Sequence, residues 1–338
     1  MRLARPVSGL AALAAVALAA GCGGGSAATP SSSGPTTPLT VVLDWTPNTN
    51  HSGLYLAQAR GYFTQAGLDV TIVEPGETSG LQMVAAGRAD VAYSVSEELL
   101  PARAQGADVV SIAAVIQHNT SSLISLTKDG IARPRDLAGK RYGSYGSDLE
   151  NAIIRKLVTC DGGTPDAVKM TPLVSDDFRI GLTQDQFDAA WVFDAWDTIR
   201  LRDVDGMDVS TIPFADHTDC IPDWYTPILA TSRSELSSKG DALKAFMDAV
   251  SHGYQDAIAE PSAAADALLK AAPELDPKLV KASAEWLATR YTDNPAHWGQ
   301  QDAAVWNGFA GFLGDNGLLK GDPQVKDAWT NALLPGAR

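Results

Sequence analysis

Apolar residues after position 38 recur in short runs, and stretches with the spacing of an amphipathic helix separate these runs. Strands are predicted at residues 39–45, 68–73, 90–94 and 109–116. Helices are predicted between them at residues 52–62, 81–87 and 97–105. Strands that alternate with helices of about ten residues favour a mostly parallel sheet with helices on both faces.

A second series of the same kind follows, and helices then dominate. Strands are predicted at residues 141–144, 168–174, 187–193 and 209–213, with a helix at residues 148–159. Further helices are predicted at residues 240–257, 261–271, 277–289, 301–313 and 322–333. The pattern therefore predicts an α/β fold with two units and a helical C-terminal part, and a cleft between the units is the expected binding site.

The N-terminus has the pattern of an export signal. Arg2 and Arg5 precede an Ala-rich apolar run at residues 10–20, and Gly21 and Cys22 follow it. The run is shorter than the roughly 20 apolar residues of a spanning helix. Because Cys22 resembles the lipidated cysteine of bacterial lipoproteins in its position, residues 1–21 are predicted to be a lipoprotein signal peptide. The alternative is an ordinary cleavage site beside an incidental cysteine.

Residues 22–38 begin with Cys22 and otherwise consist of Gly, Ser, Ala, Thr and Pro, and they carry no charge. Such a stretch has too little apolar surface to form a core, so a flexible tether is predicted. The expected location is therefore the extracytoplasmic face of a bacterial cell membrane, with the folded part held there by a lipid anchor.

The charge balance limits what the protein can bind. The 338 residues include 26 Lys and Arg against 40 Asp and Glu, for a net charge of −14. Loss of Arg2 and Arg5 with the signal peptide would change this charge to −16. An acidic chain without a basic run is not expected to bind nucleic acid or to lie flat on anionic lipid headgroups.

Cys160 and Cys220 lie 60 residues apart, without a CxxC motif or a neighbouring histidine. No metal site is expected from this spacing. Outside the cytosol disulfides persist, so a Cys160–Cys220 disulfide is predicted. The alternative is a pair of buried free thiols.

Catalytic motifs are missing from the sequence: it contains no P-loop, no HExxH and no GxSxG, and its five histidines occur singly. Polar and aromatic residues instead cluster where predicted strands end, at residues 44–53, 94–98, 117–121, 143–147, 191–196 and 223–226. Ligands bind at the carboxyl ends of parallel strands, beside helix N-termini. Trp191 is interpreted as a core residue, whereas Trp45, Trp224 and Tyr225 are interpreted as binding residues. An enzymatic alternative would use His51 with Asp44.

The segment Leu43-Asp-Trp-Thr-Pro-Asn-Thr-Asn-His-Ser-Gly-Leu-Tyr-Leu-Ala57 resembles the opening of a known family. It is similar to substrate-binding proteins of ABC importers in the SsuA-like group that binds thiamine pyrimidine precursors. Further similar segments occur in the same order at residues 61–63, 67–70, 104–106, 110–121, 136–143, 221–227, 271–276, 298–300 and 316–319.

The resemblance implies a type II periplasmic-binding-protein fold with two α/β lobes that close like a hinge. Residues 39–127 and 230–338 would form the first lobe and residues 128–229 the second, with crossover strands at residues 122–127 and 227–232. The expected ligand-binding residues are Asp44, Trp45, Asn50, His51, Ser94, Gln117, Tyr145, Glu150, Asp194, Trp196, Trp224 and Tyr225.

The implied function is capture of a small heteroaromatic nutrient by a monomer, and its delivery to an ABC permease with a cytoplasmic ATPase. A hydroxymethyl- or formylamino-pyrimidine is the first expected ligand; riboflavin, a sulfonate or another small molecule is the alternative. No catalytic residue, cofactor or metal is expected. A related branch, the yeast-type thiamine-pyrimidine synthase, is an enzyme that consumes its own histidine and pyridoxal phosphate with iron. Where that branch has a cysteine-rich motif, this chain has Cys220 alone.

Overall fold

The computed structural model describes residues 36–175 and 177–336. The predicted signal peptide at residues 1–21, Cys22 and most of the predicted tether lie outside the described residues. Within the described ranges, none of the helices combines the length and apolar character needed to span a bilayer.

The elements follow the predicted alternation of strands and helices. The strands in chain order are β1 (Thr37–Val42), β2 (Leu68–Val73), β3 (Val91–Ser94), β4 (Val109–Ala114), β5 (Ser121–Leu126), β6 (Arg141–Ser144), β7 (Lys169–Pro172), β8 (Ala189–Phe193), β9 (Val209–Pro213) and β10 (Ile228–Ser232). The helices are α1 (Ser52–Ala59), α2 (Tyr62–Gln65), α3 (Gly80–Ala85), α4 (Ser96–Ala104), α5 (Asp148–Cys160), α6 (Phe178–Thr183), α7 (Arg233–Ser238), α8 (Gly240–Ala259), α9 (Pro261–Ala271), α10 (Pro277–Leu287) and α11 (Ala303–Asp315).

The strands form two mixed sheets. The first sheet has the order β2-β1-β3-β10-β4 and the second has the order β7-β6-β8-β5-β9. In the first sheet β10 is antiparallel to both of its neighbours, and in the second sheet β5 is. The remaining strands of each sheet share one direction, so the prediction of an α/β fold with mostly parallel sheets is confirmed.

The two antiparallel strands are the places where the chain crosses between the sheets. After β4 the chain enters the second sheet as β5, and it returns to the first sheet as β10. All of β5 pairs within the second sheet, although residues up to 127 are predicted to belong to the first lobe. The lobe boundaries themselves stay a prediction.

The predicted helix at residues 322–333 is wrong. This segment contains only a short 3-10 turn at Val325–Asp327, and it runs beside the edge of the first sheet. The N–H of Ser111 in β4 donates to the carbonyl of Ala328 at 2.9 Å, and the N–H of Thr330 donates to the carbonyl of Ser111 at 2.9 Å. The open edge of β4 thus supplies the backbone partners that a helix would otherwise provide.

Close packing of α1 against α8 fixes the segment that follows β1. A Cβ atom at Gly253 would lie 2.1 Å from the carbonyl oxygen of Gly53, and one at Gly53 would lie 2.3 Å from the Tyr254 ring. Only glycines allow this approach of the two helices. This contact therefore fixes the position of the start of α1 relative to α8.

A disulfide joins Cys160, the last residue of α5, to Cys220 in the segment between β9 and β10. The bridge connects a helix of the second sheet to the chain that returns to the first. It closes a loop of 60 residues.

Replacing Cys160 and Cys220 together by serine, in a Cys22→Ser background, should lower the free energy of unfolding by about 2–4 kcal/mol, because the unfolded chain gains loop entropy. Urea unfolding measures the loss, and reduced parent protein is the matched control. Two titratable thiols in the unreduced parent, or equal stability of parent and variant, would contradict the bridge.

Candidate ligand-binding cleft

Three adjoining cavities, here called the cleft, lie where strands of both sheets end. The aromatic cavity, of about 460 Å³, is lined by Trp45, Glu97, Tyr145, Ser147, Leu149, Phe178, Trp191, Phe193 and Asp197. The polar cavity, of about 290 Å³, is lined by Asp44, Trp45, Asn48, Asn50, Ser79, Gly80, Tyr93, Ser94, Val95, Glu98, Phe193, Trp196, Asp197, Thr226 and Pro227. The outer cavity, also about 290 Å³, is lined by Trp45, Asp177, Phe178, Arg179, Trp196, Asp197, Arg200, Leu201 and Asp205.

Trp45 lies at the centre of the cleft and borders all three cavities. Its side chain is 47% exposed, which is unusual for a tryptophan in a folded domain. It belongs to the turn between β1 and α1, where the side chain of Asn48 accepts from the N–H of Asn50 at 2.9 Å. This turn holds the indole out into the cleft.

His51 supports the same turn from beneath and does not reach the cleft. Its ring is fully buried, with Nε2 at 2.7 Å from Oδ1 of Asp44 and Nδ1 at 3.2 Å from the N–H of Asn48. Since Nδ1 accepts from a backbone donor, the proton lies on Nε2 and the imidazole donates to Asp44. The prediction that His51 contacts ligand is therefore corrected: it orients Asp44, which lines the polar cavity.

Two neighbouring carboxyl groups in the first turn of α4 have different surroundings. Glu98 accepts from the hydroxyls of Ser79 at 2.6 Å and Ser94 at 3.0 Å. Glu97 borders the aromatic cavity, and its buried carboxyl group lies near the Trp224 indole and Thr226. Burial raises the pKa of Glu97 to about 7, against the opposing effect of its own backbone N–H and the nearby Trp224 indole.

On the second sheet, the turn after β6 presents Tyr145, which is 53% exposed and lines the aromatic cavity. Glu150 lies beneath this turn and is buried. Its carboxylate accepts from the Tyr142 hydroxyl at 2.9 Å, the Ser144 hydroxyl at 2.7 Å and the N–H of Gly146 at 3.2 Å. Glu150 thus shapes the turn and does not line the cleft, in contrast to the prediction.

The end of β8 contributes Phe193, and the segment after it contributes Trp196 and Asp197; only Trp196 of the three is predicted from the sequence. Phe193 is 39% exposed, and its N–H donates to Oδ2 of Asp197 at 3.0 Å. The alternation of side chains along β8 turns Trp191 and Phe193 to the same face of the sheet. That alternation is the signal from which Phe193 was predictable.

Trp224 and Tyr225 belong to the core, which corrects their interpretation as binding residues. Trp224 is 1% exposed and stacks on Phe309 of α11 with ring centroids 5.1 Å apart. The Tyr225 hydroxyl accepts from the N–H of Asp302 at 2.7 Å. Trp224 also meets Trp191 of β8 edge to face, with ring centroids 6.1 Å apart. Both rings are therefore packed against neighbouring side chains, and neither lines the three cavities.

Gln117 and Asp194 lie at the crossing of the chain and do not line the cleft, again in contrast to the prediction. Gln117 accepts from the Thr292 hydroxyl at 2.7 Å and from the N–H of Asp293 at 2.8 Å. Asp194 accepts from the hydroxyls of Ser122 and Thr198, each at 2.6 Å, and burial raises its pKa. Both side chains hold together the segments on which the sheets could pivot.

The charge of the cleft has one sign in its inner part. Asp44, Glu97, Glu98 and Asp197 border the aromatic and polar cavities, and no Lys or Arg is among the described residues that line them. The outer cavity contains Arg179 and Arg200, both of which face Asp205, at 4.0 and 3.4 Å. The inner cleft therefore suits a flat ring that is neutral or cationic and carries N–H donors.

Comparison with known proteins identifies the family of this chain and several relatives. The profile described as "NMT1/THI5 like" matches residues 48–264. The formylaminopyrimidine-binding protein of Halalkalibacterium halodurans is 27% identical over 301 residues, which cover 86% of this chain and 89% of that protein. The 4-amino-5-hydroxymethyl-2-methylpyrimidine phosphate synthase THI11 of Saccharomyces cerevisiae is 32% identical over 110 residues, or 32% of each chain.

Among solved structures, the periplasmic aliphatic sulphonate binding protein SsuA from Escherichia coli superposes with a TM-score of 0.68 at 17% identity. The superposition covers 89% of this chain and 94% of that one. The likeness confirms the periplasmic-binding-protein fold that the sequence motifs imply.

Replacement of Trp224 by alanine should lower the free energy of unfolding by about 3–5 kcal/mol, because it empties a filled core position. Replacement of the exposed Trp45 by alanine should cost less than about 1 kcal/mol. Chemical denaturation of the two variants beside the parent protein makes the comparison. Equal losses, or a Trp224→Ala variant of parental stability, would show that the two indoles are not divided between core and cleft in this way.

Proposed function

Because the chain belongs to the NMT1/THI5-like family, we propose that it is the solute-binding protein of an ABC importer and that its ligand is an aminopyrimidine precursor of thiamine. The observation that carries the proposal is a cleft with aromatic rings on both sides and carboxylates around them. Trp45 follows a strand of the first sheet, Tyr145 and Trp196 follow strands of the second, and Phe193 ends one of them. The relative from Halalkalibacterium halodurans supports the ligand class by its name.

The expected contacts are sufficient for tight binding. An aromatic pair contributes about 0.5–1.5 kcal/mol beyond the burial of its area. A hydrogen bond to a charged group contributes about 1.5–3 kcal/mol. Micromolar affinity corresponds to about 8 kcal/mol. Two stacking contacts, two such hydrogen bonds and the burial of a small ring reach that value.

Closure of the two lobes is the mechanism of capture. Ligand-binding residues are Asp44, Trp45, Asn50, Ser94, Tyr145 and Trp196 from the predicted set, joined by Phe193, Asp197 and the α4 carboxyls. Because both sheets supply contacts, a bound ring stabilises the closed arrangement over the open one. The permease then recognises the closed form. We assign residues 39–127 and 230–338 to one lobe and residues 128–229 to the other, with the pivot at β5 and β10.

The cellular setting follows from the N-terminal segment. Signal cleavage after residue 21 leaves Cys22 as the lipid-bearing N-terminus, and the uncharged tether keeps the acidic folded part clear of anionic headgroups. We propose that the protein works there as a monomer, opposite an ABC permease with its cytoplasmic ATPase.

A sulfonate ligand is the second candidate, because the structural neighbour from Escherichia coli is named as an aliphatic sulphonate binding protein. The inner cleft disfavours it, since Asp44, Glu97, Glu98 and Asp197 would repel a sulfonate. Riboflavin remains the third candidate on the ground of its flat ring system.

The observations support a catalytic function less well than ligand binding. The match to the yeast synthase spans 32% of the chain, whereas the relative that matches 86% of the chain is named as a binding protein. The Asp44–His51 pair, the enzymatic alternative, has both ring nitrogens engaged beneath the turn. A histidine in that position has no free lone pair with which to act as a base toward a ligand.

Titration calorimetry against 4-amino-5-hydroxymethyl-2-methylpyrimidine, a formylaminopyrimidine, riboflavin and an alkanesulfonate tests the proposal. We expect micromolar or tighter binding of an aminopyrimidine and a loss of at least about tenfold in affinity for Trp45→Ala, or 1.4 kcal/mol. The matched control is Trp286→Ala, since Trp286 packs under Arg290 outside the cleft. It should stay within about threefold of the parent.

Two results would contradict the proposal separately. Binding of riboflavin or the sulfonate without binding of either pyrimidine would overturn the ligand class and leave the transport role intact. Unchanged affinity of Trp45→Ala for the bound pyrimidine would overturn the stacking contact.

A further inference from the structure

A further cavity, here called the crossing cavity, lies where the chain passes from the first sheet to the second. Its volume is about 440 Å³, which falls within the range of small-molecule sites, about 300–1,000 Å³. Residues 118–121 between β4 and β5 line it, with Pro213 at the end of β9 and with Trp286 and Arg290 from the end of α10 and the turn after it. None of the described residues that line it borders the cleft, so the two are separate spaces.

Two buried polar groups in the wall of the crossing cavity have no hydrogen-bond partner in the described part of the chain. They are Nδ2 of Asn119 and Oγ of Ser121, in residues that are 3% and 1% exposed. The orientation of the Asn119 amide is fixed, because its Oδ1 accepts from the N–H of Ser121 at 2.7 Å. Unpaired buried donors are unfavourable, so we expect a molecule that brings an acceptor to complete this wall.

The positive charges at the crossing cavity differ in their pairing. His118 lies between Asp223 and Asp293, with Nδ1 at 2.7 Å from the first carboxylate and Nε2 at 3.3 Å from the second. The hydrogen bond to Asp223 raises the pKa of His118 to about 9, so a protonated ring offsets these acids at neutral pH. Arg290 lies 3.9 Å above the Trp286 ring and has no ion pair within residues 36–175 and 177–336. Its guanidinium charge is therefore available to a ligand.

Two further acids line the crossing cavity. Asp194 is half-buried and accepts from the hydroxyls of Ser122 and Thr198, and burial raises its pKa. Asp216 is exposed, and its carboxylate has no ion pair among the residues that the structure describes. The cavity thus offers unpaired donors and a guanidinium together with carboxylates.

This combination selects one class of small molecule. A simple anion would pair with Asn119 and Arg290, but it would face the two acids. A simple cation has no acceptor for Asn119, and a neutral polyol supplies no counter-charge for Arg290 or Asp216. A zwitterion satisfies both sets of groups, because its carboxylate accepts from the donors and its ammonium group donates to the acids.

We propose that the crossing cavity is a second ligand site of this protein, and that it binds a small α-amino acid whose carboxylate accepts from Asn119 and Ser121. The site is additional to the cleft, and the inference does not depend on which ligand the cleft takes. Such a molecule contacts the segment between β4 and β5, the end of β9 and the end of α10 at once.

The test is titration calorimetry of the purified protein with glycine, L-alanine, L-serine and L-glutamine, without any pyrimidine present. Acetate, methylammonium and glycerol are the matched probes, because each supplies only a carboxylate, only an ammonium group or only neutral hydroxyls. We expect at least one amino acid to bind with a dissociation constant of about 1 mM or lower, and each matched probe to bind at least about tenfold more weakly.

Two variants place the bound amino acid in the crossing cavity. Asn119→Asp keeps the acceptor for the N–H of Ser121 and replaces the unpaired donor by a negative oxygen, so affinity should fall at least about tenfold. Ser121→Ala removes a hydroxyl without a partner in the described chain, so affinity should fall at least about fivefold while the melting temperature stays parental. Asn307→Asp, the same change at an exposed position of α11, is the control and should stay within about twofold of the parent.

Three results would each overturn the inference. They are failure of all four amino acids to bind, equally tight binding of acetate, methylammonium or glycerol, and parental amino-acid affinity in both Asn119→Asp and Ser121→Ala. The last result would mean that the amino acid binds elsewhere. Because no pyrimidine enters these titrations, their outcome is independent of whether the proposed function holds.

Discussion

Two crossings of the chain between its sheets determine where every binding residue lies. Because β5 and β10 each run antiparallel to their neighbours, the strands on either side of them keep one direction within each sheet. The carboxyl ends of β1 and β3 then border the same gap as the carboxyl ends of β6 and β8. Turns that follow these strands can carry polar and aromatic side chains into the gap without disturbing either core.

Buried polar contacts beneath those turns hold the exposed rings in place. His51 and Asn48 brace the turn that carries Trp45, and Glu150 does the same for the turn that carries Tyr145. Tyr291 adds a hydrogen bond of 2.5 Å from its hydroxyl to the carbonyl of Thr49. These contacts leave no buried polar group of the turns unpaired, and they limit the motion of the turns, so a ligand loses less affinity in ordering them.

The sequence predicts the fold closely wherever local pattern and tertiary environment agree. The bounds of β2, β6, β9 and α9 match their predicted ranges. In α9 the first helical position is Pro261, a residue that favours the start of a helix. The helix predicted at residues 322–333 is wrong because this segment pairs with the open edge of β4. The local sequence pattern contains no information about that edge. Binding residues show the same limit. Strand ends identify the turns correctly, yet the direction of a side chain within a turn depends on packing. Trp224 therefore lies against α11, while Phe193 faces the cleft.

The most direct measurement of the central claim is a crystal structure of the complex with the aminopyrimidine that binds most tightly. We expect the ring to lie between the Trp45 indole and an aromatic side chain of the second sheet, in van der Waals contact at about 3.5–4 Å with both. A ring that contacts residues of one sheet only, or that lies in the separate cavity beside His118 and Arg290, would contradict it.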